Sequence, residues 1–266
     1  MKRLAWVTDI HLNFLTREKV EAFCRDIMEA RPEALLISGD IAESHNVEPY
    51  LRILELTLRL PIYFVLGNHD YYRGSIPEVR AAMERLTARS EFLRWMPAAG
   101  VVELTPTTAL VGHDGWADGR LGDYERSPIM FNDYVLIKEL RGLDRDTRLK
   151  RLHALGDESA AYLEEVLPRA LERFQNVLFL THVPPFKEAC LFAGRISNDD
   201  WLPHIACAAV GDTLLRIMRA NPTRQLKVLC GHTHSRARAQ ILPNLLALTG
   251  GAAYGSPEIQ DALLVN

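Results

Sequence analysis

Short apolar runs recur along this chain at the length of buried strands. Leu4–Thr8, Ala34–Ser38, Ile62–Leu66, Ala109–Val111, Val177–Thr181, Lys227–Cys230, Leu245–Thr249 and Ala262–Val265 are such runs, most of them bounded by Gly, Pro or Asn. Between the early runs the apolar period lengthens to that of a helix. Val20, Phe23, Cys24 and Ile27 share one face, as do Val47, Tyr50, Leu51, Leu54 and Leu58. Ile76–Leu86 and Leu214–Met218 follow the same rule. Alternation of strand and helix through the first half predicts parallel pairing there. After Gly231 the helical period stops, and Ala237–Ile241, Leu245–Thr249 and Ala262–Val265 follow through short turns, as antiparallel strands do. The pattern predicts a layered α/β protein with two sheets in a single domain spanning 1–266, and 266 residues suffice for one large core.

One stretch breaks the pattern. From Gly112 through Arg151, and on to about residue 155, charge and aromatics mix without a long clean period: Trp116, Arg120, Tyr124, Arg126, Phe131, Tyr134, then the run Arg141 to Arg151. It reads as an insertion over one end of the sheets, either a cap or lid or a solvated peripheral segment.

Charge and cysteines narrow the function classes. Lys and Arg number 31 against 34 Asp and Glu, a net −3, without the basic excess that long nucleic acid calls for. Cys24, Cys190, Cys207 and Cys230 lie far apart and form no C-x-x-C pair, so disulfide and zinc-ribbon frameworks are not expected. They read as reduced, mostly buried thiols of a cytoplasmic protein. The apolar run after Met1-Lys2-Arg3 is broken by Asp9 and His11, which leaves no signal-peptide core. No stretch approaches the roughly 20 apolar residues of a membrane span.

The chemistry stands at the ends of the apolar runs. Leu4–Thr8 ends in Asp9-Ile10-His11, Ala34–Ser38 in Gly39-Asp40, Ile62–Leu66 in Gly67-Asn68-His69-Asp70, Val177–Thr181 in His182, and Lys227–Cys230 in Gly231-His232-Thr233-His234. In open α/β sheets ligands bind at that edge. Residues i and i+2 of an extended segment share a side, so Asp9 with His11, and His232 with His234, can face one ion. Gly39, Gly67 and Gly231 suit sharp turns and close backbone approach. Carboxylate, imidazole and amide donors without thiolate suit Mn, Fe, Co, Ni or Zn. Seven candidates, Asp9, His11, Asp40, Asn68, His182, His232 and His234, exceed the need of one tetrahedral ion and suit two divalent ions sharing a carboxylate.

These motifs, running from residue 9 to 234, resemble the calcineurin-like metallophosphoesterase family. The resemblance implies a four-layered α/β/β/α sandwich of two mixed sheets around a dinuclear metal centre. It implies one ion held by Asp9, His11, Asp40 and His234, and a second by Asp40, Asn68, His182 and His232, with Asp40 bridging. His69 matches the family's catalytic histidine, which is not a ligand, and implies a proton donor to the leaving oxygen of an ester attacked by a metal-bridged hydroxide. Asp70 then either orients the His69 ring or serves as a turn residue. Arg73, His113, Trp116 and Tyr124 are candidate substrate contacts beyond the metals. His45, His153 and His204 read as surface residues. The protein Ser/Thr phosphatases carry G-D-x-x-D-R-G and G-N-H-E, whereas this chain has Gly39-Asp40-Ile41-Ala42-Glu43-Ser44 and G-N-H-D. It is more similar to the bacterial branch of cyclic-nucleotide phosphodiesterases and other small-molecule phosphoesterases. The expected substrate is therefore a small phosphate ester, monoester or diester. The alternatives are a nuclease of the same chemistry and a non-catalytic scaffold, and the presence of His69 argues against the latter.

Overall fold

The structure is a computed structural model describing residues 1–266. Strands β1 (Lys2–Val7), β2 (Ala34–Ser38), β3 (Ile62–Val65) and β4 (Leu93–Trp95) pair in parallel, and β13 (Asp261–Val265) closes that sheet antiparallel to β1. The second sheet has six strands. β6 (Thr108–Gly112), β7 (Asn176–Leu180), β10 (Gln225–Cys230) and β12 (Leu245–Thr249) are parallel, with β5 (Val102–Thr105) and β11 (Ala237–Leu242) antiparallel at its edges. A separate hairpin joins β8 (Leu191–Phe192) to β9 (Arg195–Ile196). Thus the three last runs do not form one antiparallel meander: β12 lies parallel to β10, and β13 crosses to the other sheet.

Alternation along the strands builds the layers. Leu4, Trp6, Ala34, Leu36, Tyr63 and Val65 of the first sheet meet Leu110, Leu178, Leu180 and Leu229 of the second in a core between the sheets. The intervening residues Ala5, Val7, Leu35, Ile37 and Phe64 point to the opposite face. There α1 (Arg17–Glu29) buries Val20, Phe23, Cys24 and Ile27, α2 (Val47–Leu58) buries Val47, Leu51, Leu54 and Leu58, and α3 (Ile76–Ala88) buries Ile76, Val79, Met83 and Leu86. On the outer face of the second sheet, Val111, Val177, Phe179 and Val228 pack under helices Arg145–Arg173 and Ala208–Ala220. The result is a four-layered α/β/β/α sandwich with two mixed sheets.

The 29-residue helix Arg145–Arg173 departs from the irregular reading of the chain up to about residue 155. Asp144 caps it, accepting from the Thr147 amide at 2.8 Å. Leu152, Leu155, Leu163, Val166, Leu167 and Ala170 form its buried stripe, and Gly156 and Pro168 interrupt the period that would have revealed it. What remains irregular is 113–144, with one short helix at Asp133–Leu136. The three-residue strand β4 and the two-residue strands β8 and β9 escape an apolar-run search because they offer too few consecutive apolar positions. All four cysteines are buried free thiols. No helix is long and apolar enough to cross a membrane.

Candidate metal centre

Register sets the site. Val7 lies beside Ile37, Ser38 beside Val65, and Leu180 beside Leu229. The loops after β1, β2, β3, β7 and β10 therefore leave at one level, and their side chains converge. They do so by kinked backbone rather than by strand alternation. Asp9, His11, Asp40, His232 and His234 have φ of 49°, 39°, 53°, 71° and 54°. They are five of the nine non-glycine residues with positive φ. Such conformations are costly for L-residues and persist where the surroundings dictate them. Asp9 and His11 converge as their spacing suggests, through left-handed turns, whereas His232 and His234 part: His234 joins Asp9 and His11, and His232 joins Asn68 and His182. Gly39, at φ +89°, is the only one of the three expected motif glycines that needs its freedom of φ. At Gly67 and Gly231 a Cβ would collide with Asp40 and with Thr8 and Asp9.

Two donor groups result. The ligating atoms of Asp9, His11, Asp40 and His234 all lie within 4.8 Å of one another. His11 Nε2 is 3.3 Å from His234 Nε2, and Asp9 Oδ1 is 3.3 Å from His234 Nε2. Beside them, Asn68 Oδ1 lies 3.1 Å from His182 Nε2 and 3.0 Å from His232 Nδ1, and these two nitrogens are 3.3 Å apart. Asp40 serves both sides, with Oδ1 3.3 Å from His182 Nε2 and Oδ2 3.7 Å from His11 Nε2.

The second group shows why a cation fits. His182 Nδ1 donates to the Ser38 carbonyl at 2.8 Å, and His232 Nε2 donates to the His204 carbonyl at 3.2 Å. Their remaining nitrogens are then bare lone pairs. The Asn68 amide nitrogen donates to Asp133 Oδ1 at 2.8 Å and to the Tyr72 hydroxyl at 3.1 Å, which turns its oxygen inward. With both imidazoles neutral, three acceptors face one another with no donor between them, a place that either a metal ion or a proton on His182 Nε2 can fill. Donors about 2.1 Å from a shared ion stand roughly 3.0–3.4 Å apart, and the observed spacings match. The electrostatics agree. Burial opposes charge on His182, but Asp40 and Asp9 outweigh it and hold the imidazole up at about 10. Burial, then the neighbouring His182, pushes His232 down to about 4, and burial does the same to His11. Burial would raise Asp9 and Asp40, yet the surrounding histidines keep both below the ordinary carboxylate range. The cage demands positive charge.

His69 sits at the rim of this cage and in the wall of a cavity of about 1060 Å³. Its ring stacks on Tyr72 at 4.3 Å, and Nε2 lies 3.9 Å from Asp40 Oδ2. A short 3-10 turn, His69–Tyr71, rather than strand pleating aims Asn68 and His69 apart. Asp70 is turned away from the His69 ring. It accepts the amides of Gly67 (2.8 Å), Ile41 (3.0 Å) and Ala42 (2.7 Å), and so ties the β2 and β3 loops together. Burial and the Asp40 charge raise its carboxyl to about 8 against the pull of those three amides. Of the two readings of Asp70, these contacts are those of a turn residue, and none of them reaches the His69 ring.

The expected substrate contacts lie outside the cavity wall. Arg73 pairs with Glu43. His113 is buried beside Tyr162 and lines a separate pocket of about 290 Å³. Trp116 packs on Tyr71, and Tyr124 lies against His204, both in the core. These aromatics seal the underside of segment 113–144 instead of facing its mouth. Wall residues from that segment are Ile129, Met130, Phe131 and Asn132. His204, expected at the surface, is 3% exposed, and its ring is held by the Tyr134 hydroxyl and by Ser127 Oγ at 2.9 Å. Its flanking Leu202 and Ile205 were the available signal. Asp133, which orients Asn68, carries no local motif.

Fold and cage together define a four-layered sandwich with an Asp/His cluster suited to divalent metal. The family model for calcineurin-like phosphoesterases matches residues 2–236, and this chain belongs to that family. A probable cyclic nucleotide phosphodiesterase of Pseudoalteromonas sp. (strain SM9913) is 35% identical over 81 residues, 26% of this chain and 31% of that protein. A transmembrane protein with metallophosphoesterase domain from Danio rerio is 32% identical over 81 residues, 28% of this chain and 18% of that protein. The chain thus spans under a third of the length of these relatives. Among solved structures, a dimetal phosphatase from Danio rerio has a TM-score of 0.61 at 14% identity, covering 96% of this chain and 89% of its own. The phosphopantetheinyl hydrolase from Mycobacterium tuberculosis has a TM-score of 0.62 at 13% identity, covering 93% and 89%. At such identities the likeness shows the fold alone. Family membership and the buried Asp/His cluster indicate a dinuclear divalent-metal site.

Proposed function

We propose that this chain hydrolyses small-molecule phosphate esters. In this reading Asp9, His11, Asp40 and His234 hold one divalent transition-metal ion, and Asp40, Asn68, His182 and His232 hold the other. The observation that carries it is the convergence of bare donor atoms beside a partly exposed histidine at the base of an open cavity. When bound, two such ions supply an acidified water and counter-charge for the phosphoryl group. The chain's residues do the rest. Asp133 and Tyr72 fix the Asn68 amide, and the Ser38 and His204 carbonyls fix the two imidazoles in the tautomers that ligation needs. His69 Nε2 stands outside both donor groups and can deliver a proton to a leaving oxygen. The similarity over 81 residues to a probable cyclic nucleotide phosphodiesterase supports a small ester, nucleotide-like esters included. Arg195 is the only Lys or Arg in the cavity wall, which argues against a nuclease acting on long strands.

The test is His69→Ala on alkyl and nitrophenyl phosphates. Turnover of the alkyl ester should fall by about 10²–10⁴, with a smaller loss on the nitrophenyl ester, whose leaving group needs no proton, and with metal content unchanged. Undiminished alkyl turnover would remove His69 from catalysis and favour a scaffold.

A further inference from the structure

The cavity over the cage is far larger than a phosphate requires. Its volume of about 1060 Å³ lies just above the roughly 300–1,000 Å³ typical of pockets for drug-sized ligands. The cage residues occupy its base. Above them, three separated stretches of chain supply a wall dominated by large apolar side chains: Met130 and Phe131 from segment 113–144, Phe192, Ile196 and Trp201 on and after the β8–β9 hairpin, and Tyr254 from the loop before β13. Several of these face solvent widely, Phe192 at 73%, Met130 at 64% and Tyr254 at 55% exposure. Exposed large apolar residues are ordinary singly but not when segments distant in sequence bring them together beside a reactive site. Phe131 and Trp201 meet edge to face at 6.3 Å, and Phe131 lies 5.7 Å from the His232 ring, so the apolar wall reaches the cage itself. Positive charge is scarce. Arg195 alone carries it outside the histidines, and no carboxylate pairs with it. A second phosphate, or a polynucleotide, would meet little to neutralise it here.

We propose that this cleft selects phosphate esters whose organic group is a bulky alkyl chain, held by Phe131, Phe192, Ile196, Trp201 and Tyr254. The inference rests on the phosphoesterase reading and deepens it: the cage takes the phosphoryl group and the cleft takes the alcohol. Full burial of one methylene is worth about a fourfold change in affinity, so even partial burial of a chain adds up.

The experiment separates binding from turnover. Non-hydrolysable methyl-, butyl- and octylphosphonate are titrated calorimetrically into the metal-loaded full chain, and the matching alkyl phosphates are assayed for hydrolysis. Affinity should rise at least tenfold from methyl to octyl, well below the ceiling of about fourfold per methylene. In Trp201→Ala and Phe192→Ala, both at exposed positions where folding is not at stake, the octyl-to-butyl ratio should fall toward one. Equal affinity along the series overturns the inference even if every ester is hydrolysed. Tighter binding of adenosine 5′-monophosphate than of octylphosphonate overturns it too, in favour of a nucleoside cleft. A steep phosphonate series without turnover of any ester supports the cleft and instead defeats the hydrolytic reading on which it was built.

Discussion

In the cage, five side chains stand on left-handed backbone at strand ends, and Asn68, His182 and His232 are each held by a residue outside it. In the cleft wall above it, three loops present large apolar side chains to solvent, with few hydrogen bonds fixing them. The first arrangement is over-determined. Asp70 ties two loops through three amides, Asp133 turns an amide oxygen inward, and Asp114 accepts from the Leu66 amide, the Trp95 indole and the Tyr71 hydroxyl. The second is adaptable. A rigid base suits a reaction that is the same for every ester, while a soft wall suits discrimination among alcohols.

The sharpest way to break this contrast is to remove a brace. Asp70→Ala leaves three buried amides without an acceptor, at about 1–3 kcal/mol each. We expect stability to fall by about 3 kcal/mol or more, together with metal retention, as read by chemical denaturation and elemental analysis. A variant as stable as the parent but inactive would restore a catalytic Asp70. A smaller effect is expected at Asp133→Ala, which frees the Asn68 amide without removing a donor. Affinity for the second ion should drop about 10–100-fold, while the Asp9, His11 and His234 side keeps its ion. Equal weakening of both, in metal titrations, would mean that the two groups are not separable. The smallest effect is expected at Arg73→Ala. Its guanidinium is half exposed and pairs with Glu43 outside the cavity, so stability should move within about 0.5 kcal/mol and KM should not change. A raised KM would bring Arg73 to the substrate.

The same contrast governs what could be read from the sequence. Asp9, His11, Asp40, Asn68, His182, His232 and His234 each follow an apolar run, and parallel strands in register bring run ends together whatever the helices between them do. That chain of reasoning needs only local pattern. Where each side chain then points is set by left-handed turns and not by pleat alternation, which is why His232 and His234 join different donor groups. Segment 113–144 offers no such handle. Trp116 and Tyr124 look like mouth residues by composition but pack inward, whereas Phe131 and Trp201 become wall only through contacts between distant loops. His204 is similar. Its burial and its carbonyl bond to His232 depend on Ser127 and Tyr134, more than 65 residues away in the chain.

The account rests on one shared carboxylate between two ions, and metal stoichiometry tests it most directly. Wild-type protein, Asp40→Ala and His234→Ala are loaded with Mn or Zn, freed of excess metal and measured by elemental analysis. The account predicts about two ions per wild-type chain, about one in His234→Ala, and fewer than one in Asp40→Ala. One ion in the wild-type protein, or equal occupancy in the two variants, would contradict it.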